Sequence, residues 1–278
     1  MAAGSASRRA SAAPRRAGTR LERSAGYPWL ARGGLLARGV VYGLIGALAL
    51  AVALGAGGRP TNQQGAMETI ARQPLGWALL GLLAAGLAGY GAWRLTRAVT
   101  GRGREETDSA FDRVAAAASG ISYLLLFAVA IEILVSAGSG GGSTSKQTAG
   151  VLGWPAGTEI VAAAGAVLIG VGVYQGYKGL ARKFMETSRT DQMDPPVRTA
   201  YAALGAFGHA ARAVVFLLVG YGLIRAAIDY RPSEAGGLDG ALRELAHASY
   251  GPVLLGVVSA GLIAFAVYSM ADARYRKL

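Results

Sequence analysis

The sequence predicts an all-α, polytopic membrane protein, with six transmembrane helices arranged as three tandem two-helix hairpins in pseudo-threefold order. Three observations lead there. Six apolar stretches are each long enough to cross a bilayer, basic residues alternate from one inter-helix segment to the next, and the chain repeats itself. Composition sets the frame: 53% of the 278 residues are hydrophobic and 16% are charged, with a mean hydropathy of +0.36. A soluble globule carries nearer a quarter of charged residues. The absence of cysteine excludes disulfides, thiolate metal sites and thiol nucleophiles.

The spans fall at about 34–57, 74–93, 114–136, 160–177, 203–228 and 251–271, given ~20 apolar residues per helical crossing. The fifth is the weakest, because Arg212 and Arg225 interrupt it. Lys and Arg number eight in 1–38, five in 94–113, six in 178–212 and three in 274–277. The alternate loops hold two, one and three. This alternation places both termini in the cytoplasm by the positive-inside rule. It also accounts for the net charge of +12 without a nucleic-acid partner. Trp93, Tyr174, Tyr177 and Tyr268 lie where even-numbered spans return to the basic side, as an interfacial belt would. Residues 1–31, rich in Arg, Ser and Ala, read as a disordered basic tail. The first apolar run is too long for the core of a cleaved signal peptide.

The repeat fixes the units as 32–101, 109–184 and 200–278. With an offset of 174, Arg38, Val40, Val41 and Gly46 meet Arg212, Val214, Val215 and Gly220, and Tyr42 meets Phe216. With an offset of 175, Gly86, Tyr90 and Trp93 meet Gly261, Phe265 and Tyr268. A fainter copy at offset 81 aligns Gly39, Tyr42, Pro74 and Gly76 with Gly120, Tyr123, Pro155 and Gly157. Repeats that enter from the same side are related by an axis along the membrane normal. Small-xxx-small pairs (Gly39/Gly43, Ala85/Gly89, Gly172/Gly176, Gly256/Ala260) suit close helix packing in lipid.

ARGVVYGLIG at the start of the first unit, QPLGWALLGLLAAGLAGYGAW at its end, VYQGYKGL and GLDGALRELA together resemble the domain-of-unknown-function 1206 family of bacterial membrane proteins. The resemblance covers about residues 32 to 278 and implies a six-helix plasma-membrane protein with three repeats. It implies no activity. The middle unit departs from the other two, with Ser119 in place of arginine.

Few polar residues enter the spans. Arg38 and Arg212 stand at the mouths of helices one and five, with Tyr42 and Phe216 one turn on. They are expected to snorkel to the interface under those rings, or to form a site for a lipid headgroup or small anion. Glu132 and Arg225 share a repeat position, both equivalent to Ala51, and are a candidate intramembrane ion pair. His209 and His247 are solitary, and no metal-ligand spacing, phosphate loop or catalytic signature occurs. No cofactor is expected. Gly138–Gly142 reads as a flexible loop. The stretches after Thr61 or Asn62 and after Asp239 read as short surface helices.

The expected function is therefore non-enzymatic, exercised by packing against membrane lipids or an unidentified membrane protein partner. The alternative is a small-solute or ion transporter using Glu132 and the repeat axis. It asks for more polar lining than these helices offer.

Overall fold

A computed structural model describes residues 27–58, 60–100, 110–135 and 144–277. The described residues form nine α-helices and no strand: α1 Tyr27–Ala53, α2 Gln63–Ala71, α3 Gly76–Thr100, α4 Ala110–Val135, α5 Thr144–Leu152, α6 Gly157–Leu180, α7 Pro195–Ile228, α8 Gly237–His247 and α9 Gly251–Tyr275. Six of these, α1, α3, α4, α6, α7 and α9, are long and apolar enough to cross a membrane. Residues 27–31, expected in the tail, belong to α1. The rest of that tail and the Gly138–Gly142 loop lie outside the described residues. The fifth span is the longest helix. It starts at Pro195, whose fixed φ and missing N–H suit the first turn, so helix length exceeds apolar length there.

The long helices pack chiefly across the boundaries between units. The most extensive pairings are α3 on α4, α6 on α7 and α9 on α1, so the second long helix of each unit lies against the first long helix of the next. Within the first and third units, α1 also packs on α3 and α7 on α9. The two long helices of the middle unit, α4 and α6, are the least buried of the six spans. They present Ile121, Leu125, Ile160, Val167 and Val173 outward.

Small residues set these approaches. A Cβ added to Gly39 would stand 3.0 Å from the Ala266 carbonyl oxygen, one on Gly120 3.1 Å from that of Gly91, and one on Gly172 3.1 Å from that of Ala213. By the sequence offsets these are the same contact in three copies, and backbones this close favour van der Waals packing in lipid. Of the expected small-residue pairs, Gly39/Gly43 and Gly172/Gly176 lie at such contacts. Ala85 instead faces outward, and α3 uses Gly86 and Gly91.

A short helix precedes the second long helix of every unit. The sequence pointed to α2 and α8. The third, α5, spans residues that are α2 shifted by 81. Asn62 caps α2 by accepting the Gly65 N–H at 3.0 Å. Asp239, in contrast, lies within the first turn of α8, where it accepts from Asn62 at 3.2 Å. The two short helices are thus tied to each other, and they bury Ala66, Met67, Leu238, Ala241 and Leu242 against the long helices.

Each short helix turns into its long helix through one left-handed residue: Leu75 (φ 62), Ala156 (φ 58) and Tyr250 (φ 62). The next residue is glycine in all three copies. Its Cβ would run into the carbonyls that end the short helix, those of Ile70 and Ala71, of Val151 and of Ala246 respectively. Gly251→Ala should therefore destabilise the third unit by about 1–3 kcal/mol. Tyr250→Gly should change stability by less than about 1 kcal/mol, since relief of left-handed strain offsets the added chain entropy. Unfolding curves of both variants in one detergent check the pair, and equal losses would refute this account of the turn.

Candidate functional site at the basic end of the bundle

Arg38 is 8% exposed and does not snorkel. Its position three turns into α1 puts it against α9, where its Nε donates to Ser269 Oγ at 3.1 Å. Its Nη2 lies 3.6 Å from Asp272 Oδ2. Asp272 is 0% exposed and is the hub of this end. Its Oδ2 also accepts from Arg276 Nη1 at 3.0 Å. Its Oδ1 accepts from the Tyr201 hydroxyl at 2.9 Å and from Ser188 Oγ at 3.3 Å. A carboxylate so enclosed is retained only because charged and neutral donors surround it. Asp272 thereby joins α1, α7, α9 and the segment after α6. That segment also lies alongside the chain after α9, with Arg189 N–H donating to the Tyr275 carbonyl at 2.8 Å and Lys277 N–H to that of Thr187 at 3.1 Å. On the outer side of the segment, the Lys183–Glu186 bond of 2.9 Å raises the Lys183 pKa.

Arg212 has different company. Its guanidinium carbon lies 4.4 Å from the Phe265 ring centroid, 5.1 Å from Tyr42 and 5.2 Å from Phe216. Phe216 is the ring expected one turn on. Tyr42, expected to drape over Arg38 of its own helix, instead lies beneath Arg212 of α7. Arg38 takes Tyr90 at 6.0 Å and the same Phe265 at 5.0 Å. The two arginines thus flank one ring. Rings stabilise a desolvated guanidinium through their quadrupoles, but they carry no countercharge. The buried ion pairs Arg38–Asp272 and Arg276–Asp272 leave Arg212 out, and Arg212 Nε is buried without a hydrogen-bond partner.

One turn before Arg212 on the same helix is His209, 4% exposed. Its ring stacks on Phe184 at 5.3 Å and meets Phe265 and Tyr268 edge-on at 5.4 and 5.5 Å. Neither ring nitrogen has a hydrogen-bond partner. Phe184 reaches this place because Gly205 has no side chain to exclude it. Tyr268 and Trp93 therefore belong to the interior, and only Tyr174 and Tyr177 of the expected belt are exposed.

The other candidate pair separates. Arg225, exposed near the far end of α7, pairs along its own helix with Asp229 at 3.1 Å and donates to the Tyr221 hydroxyl at 3.2 Å. Glu132 is exposed on α4, and no ion pair joins it to Arg225 among the described residues. An i,i+4 carboxylate is always within reach of its arginine, whereas equal depth on two helices says nothing of direction. No group of three or more metal-ligating side chains occurs among the described residues.

Asp272 escaped the sequence reading because it falls just beyond the last apolar run. A signal existed: the repeat places it at the position held by Arg97 and Lys178 in the other two units, a reversal of charge.

The helix–short helix–helix unit seen three times here coincides with three tandem matches, at residues 33–101, 114–182 and 207–276, to the family described as Domain of Unknown Function (DUF1206). The chain belongs to this family. Each DUF1206 segment opens inside the first long helix of a unit and closes one or two residues after the end of the second. A relative, "Uncharacterized protein YxxB" of Bacillus subtilis (strain 168), is 32% identical over 257 residues, covering 90% of this chain and 93% of its own. No solved structure matches.

Proposed function

We propose that this DUF1206 chain is a non-enzymatic component of a bacterial plasma membrane that works by holding anionic lipid. Its six spans would stand in pseudo-threefold order with both termini in the cytoplasm. The observation that carries the reading is Arg212 at the basic end, its guanidinium held among Phe265, Tyr42 and Phe216 and outside the ion pairs that Asp272 makes. Tyr90, Phe265 and Tyr268 are buried at that level, which favours a packed interior over a path for a solute. The alternation of basic segments supports the orientation. The pairing of α3 on α4, α6 on α7 and α9 on α1 supports the threefold order. The bare apolar faces of α4 and α6 suit contact with acyl chains.

Two measurements test this. Protein extracted from membranes of mixed lipid should retain anionic lipid selectively, read by native mass spectrometry. Reconstituted in liposomes it should carry no proton or cation flux. A flux abolished by Glu132→Gln, with the fold intact, would favour the transporter. Reporter fusions at the C-terminus and in the 138–146 loop should report opposite sides.

A further inference from the structure

Residues 181–194, ARKFMETSRTDQMD, join the second unit to the third and carry one aromatic side chain, Phe184. They form two short turns, Lys183–Met185 and Thr190–Gln192, and lie as a strap across the basic ends of α7 and α9. Phe184 is fully buried. Its ring fills the place that Gly205 leaves free and rests on His209, Tyr201 and Tyr268 at centroid distances of 5.3, 6.1 and 5.2 Å. Ser188 Oγ hooks the strap to the Tyr201 hydroxyl at 2.8 Å. The backbone bonds from Arg189 to Tyr275 and from Lys277 to Thr187 close it along the chain after α9. Arg182, where the strap begins, is left-handed at φ 52, a conformation that strains any residue with a Cβ and that lifting the strap would relieve.

Beneath Phe184 lies His209, enclosed and with both ring nitrogens unpartnered. The equivalent residues in the other units are Leu35 and Ala116, both apolar and buried, so the packing itself asks for no imidazole. A buried polar group without a hydrogen bond calls for an explanation. A neutral imidazole leaves one N–H unsatisfied here, and an imidazolium would leave two. The surroundings make the second state the worse one. Phe184 of the strap and Phe265 and Tyr268 of α9 offer only rings. The charges that bear on the imidazole are those of Lys178 on α6, Arg212 on α7, Arg38 on α1 and Arg276 after α9. Asp272 of α9 is engaged by Arg38, Arg276, Tyr201 and Ser188. Lys183 and Glu186 of the strap pair with each other on its outer side.

We infer that residues 181–194 are a pH-sensitive lid: on acidification His209 takes up a proton, Phe184 is displaced, and the basic end of α7 and α9 opens to water. The strap is the element that yields, because two short turns and a few hydrogen bonds hold it while long helices form the other walls. Linkage fixes the direction. The open state binds the proton, so the lid stays closed above the ordinary imidazole range, near about pH 6.5, and closure weakens as pH falls below it. With one proton taken up, each further pH unit shifts the balance about tenfold toward the open state. The lid does not rest on the lipid-holding role proposed above.

Hydrogen–deuterium exchange of the full chain in nanodiscs tests this, with rates corrected for the intrinsic pH dependence of exchange. The amides of Arg189 and Lys277, bonded across the strap, should be protected at about pH 7.5. Their protection should fall about tenfold from about pH 6 to about pH 5, while amides in the middle of α9 keep theirs. His209→Leu installs the residue that the first unit carries at this position, and protection should then stay flat with pH. His209→Phe should also stay flat, and it keeps the pocket filled if leucine loosens it. Phe184→Ala should lower protection already at about pH 7.5. Three results would each overturn the proposal: no fall in the wild-type chain, a fall that both His209 variants retain, which would assign the proton to a carboxylate, or a Phe184→Ala chain as protected as the wild type.

Discussion

Asp272→Ala is expected to destabilise the bundle by about 3–5 kcal/mol, the cost of leaving a buried charge without its partner. Two guanidiniums, those of Arg38 on α1 and of Arg276 at the end of α9, point at this carboxylate. The hydroxyls of Tyr201 and Ser188 donate to its other oxygen. Alanine would take the carboxylate from both guanidiniums and leave the Tyr201 and Ser188 hydroxyls with each other and the Phe184 carbonyl. At roughly 2–4 °C per kcal/mol, the melting temperature in detergent should fall by on the order of 10 °C. Asp272→Asn keeps the shape and loses the charge, so it should fall less but still clearly. Adding Arg38→Met to Asp272→Ala should recover part of the loss, because an apolar replacement of both partners removes the uncompensated cation. A loss under 1 kcal/mol for the single variant would mean that the cluster does not hold α1 to the third unit.

The second large effect is a matter of space. A Cβ on Gly208 would stand 2.6 Å from Phe265 Cα and 2.8 Å from its backbone nitrogen. Main chain cannot rotate aside as a side chain can, so Gly208→Ala must push α7 from α9. The expected cost is about 2–3 kcal/mol, at the upper end of overpacking. Displacement of Phe265 would also disturb the ring that both Arg38 and Arg212 share. In the first unit a Cβ on Gly34 would run into Tyr90 Cβ, which the main chain fixes, and stand 2.9 Å from the Gly86 carbonyl oxygen, so Gly34→Ala should behave alike. Gly81 is the contrast, with nothing within 4 Å of its added Cβ. Gly81→Ala should be neutral or gain up to about 1 kcal/mol from helix propensity. Parallel unfolding of the three variants checks the contrast, and a uniform loss across them would refute the packing argument.

The six spans were legible because a bilayer demands length and apolarity, and both are local properties of sequence. Helix ends were less so: hydropathy reports the lipid-facing stretch, and α7 runs eight residues ahead of it from Pro195. The repeat was legible from glycine, proline and aromatic positions, and the same offsets later proved to index the contacts at Gly39, Gly120 and Gly172. The destination of Arg38 was not legible. Its partners Ser269 and Asp272 come from the other end of the chain, and a span edge alone does not tell a snorkelling arginine from an enclosed one. Glu132 and Arg225 failed as a pair for a related reason, since a shared repeat position fixes depth and leaves the azimuth of each side chain free. Tyr42 changed partner because its neighbour in space belongs to the adjoining unit, a relation that spacing along one helix cannot express.

The packing of α9 on α1 has a consequence for biosynthesis. Among the described helices α1 leaves the ribosome first, and its principal neighbour leaves last. Arg38 and Ser269 are 231 positions apart; at ~5–20 residues per second of translation, roughly 12–46 s pass before they can meet. Throughout that interval Arg38 lacks its partners on α9, beside an unfilled glycine groove at Gly39, Gly43 and Gly46. The last helix therefore acts as the clasp of the whole assembly. A chain halted before residue 251 lacks Ser269 and Asp272, and so leaves without partners the charge that a finished one conceals.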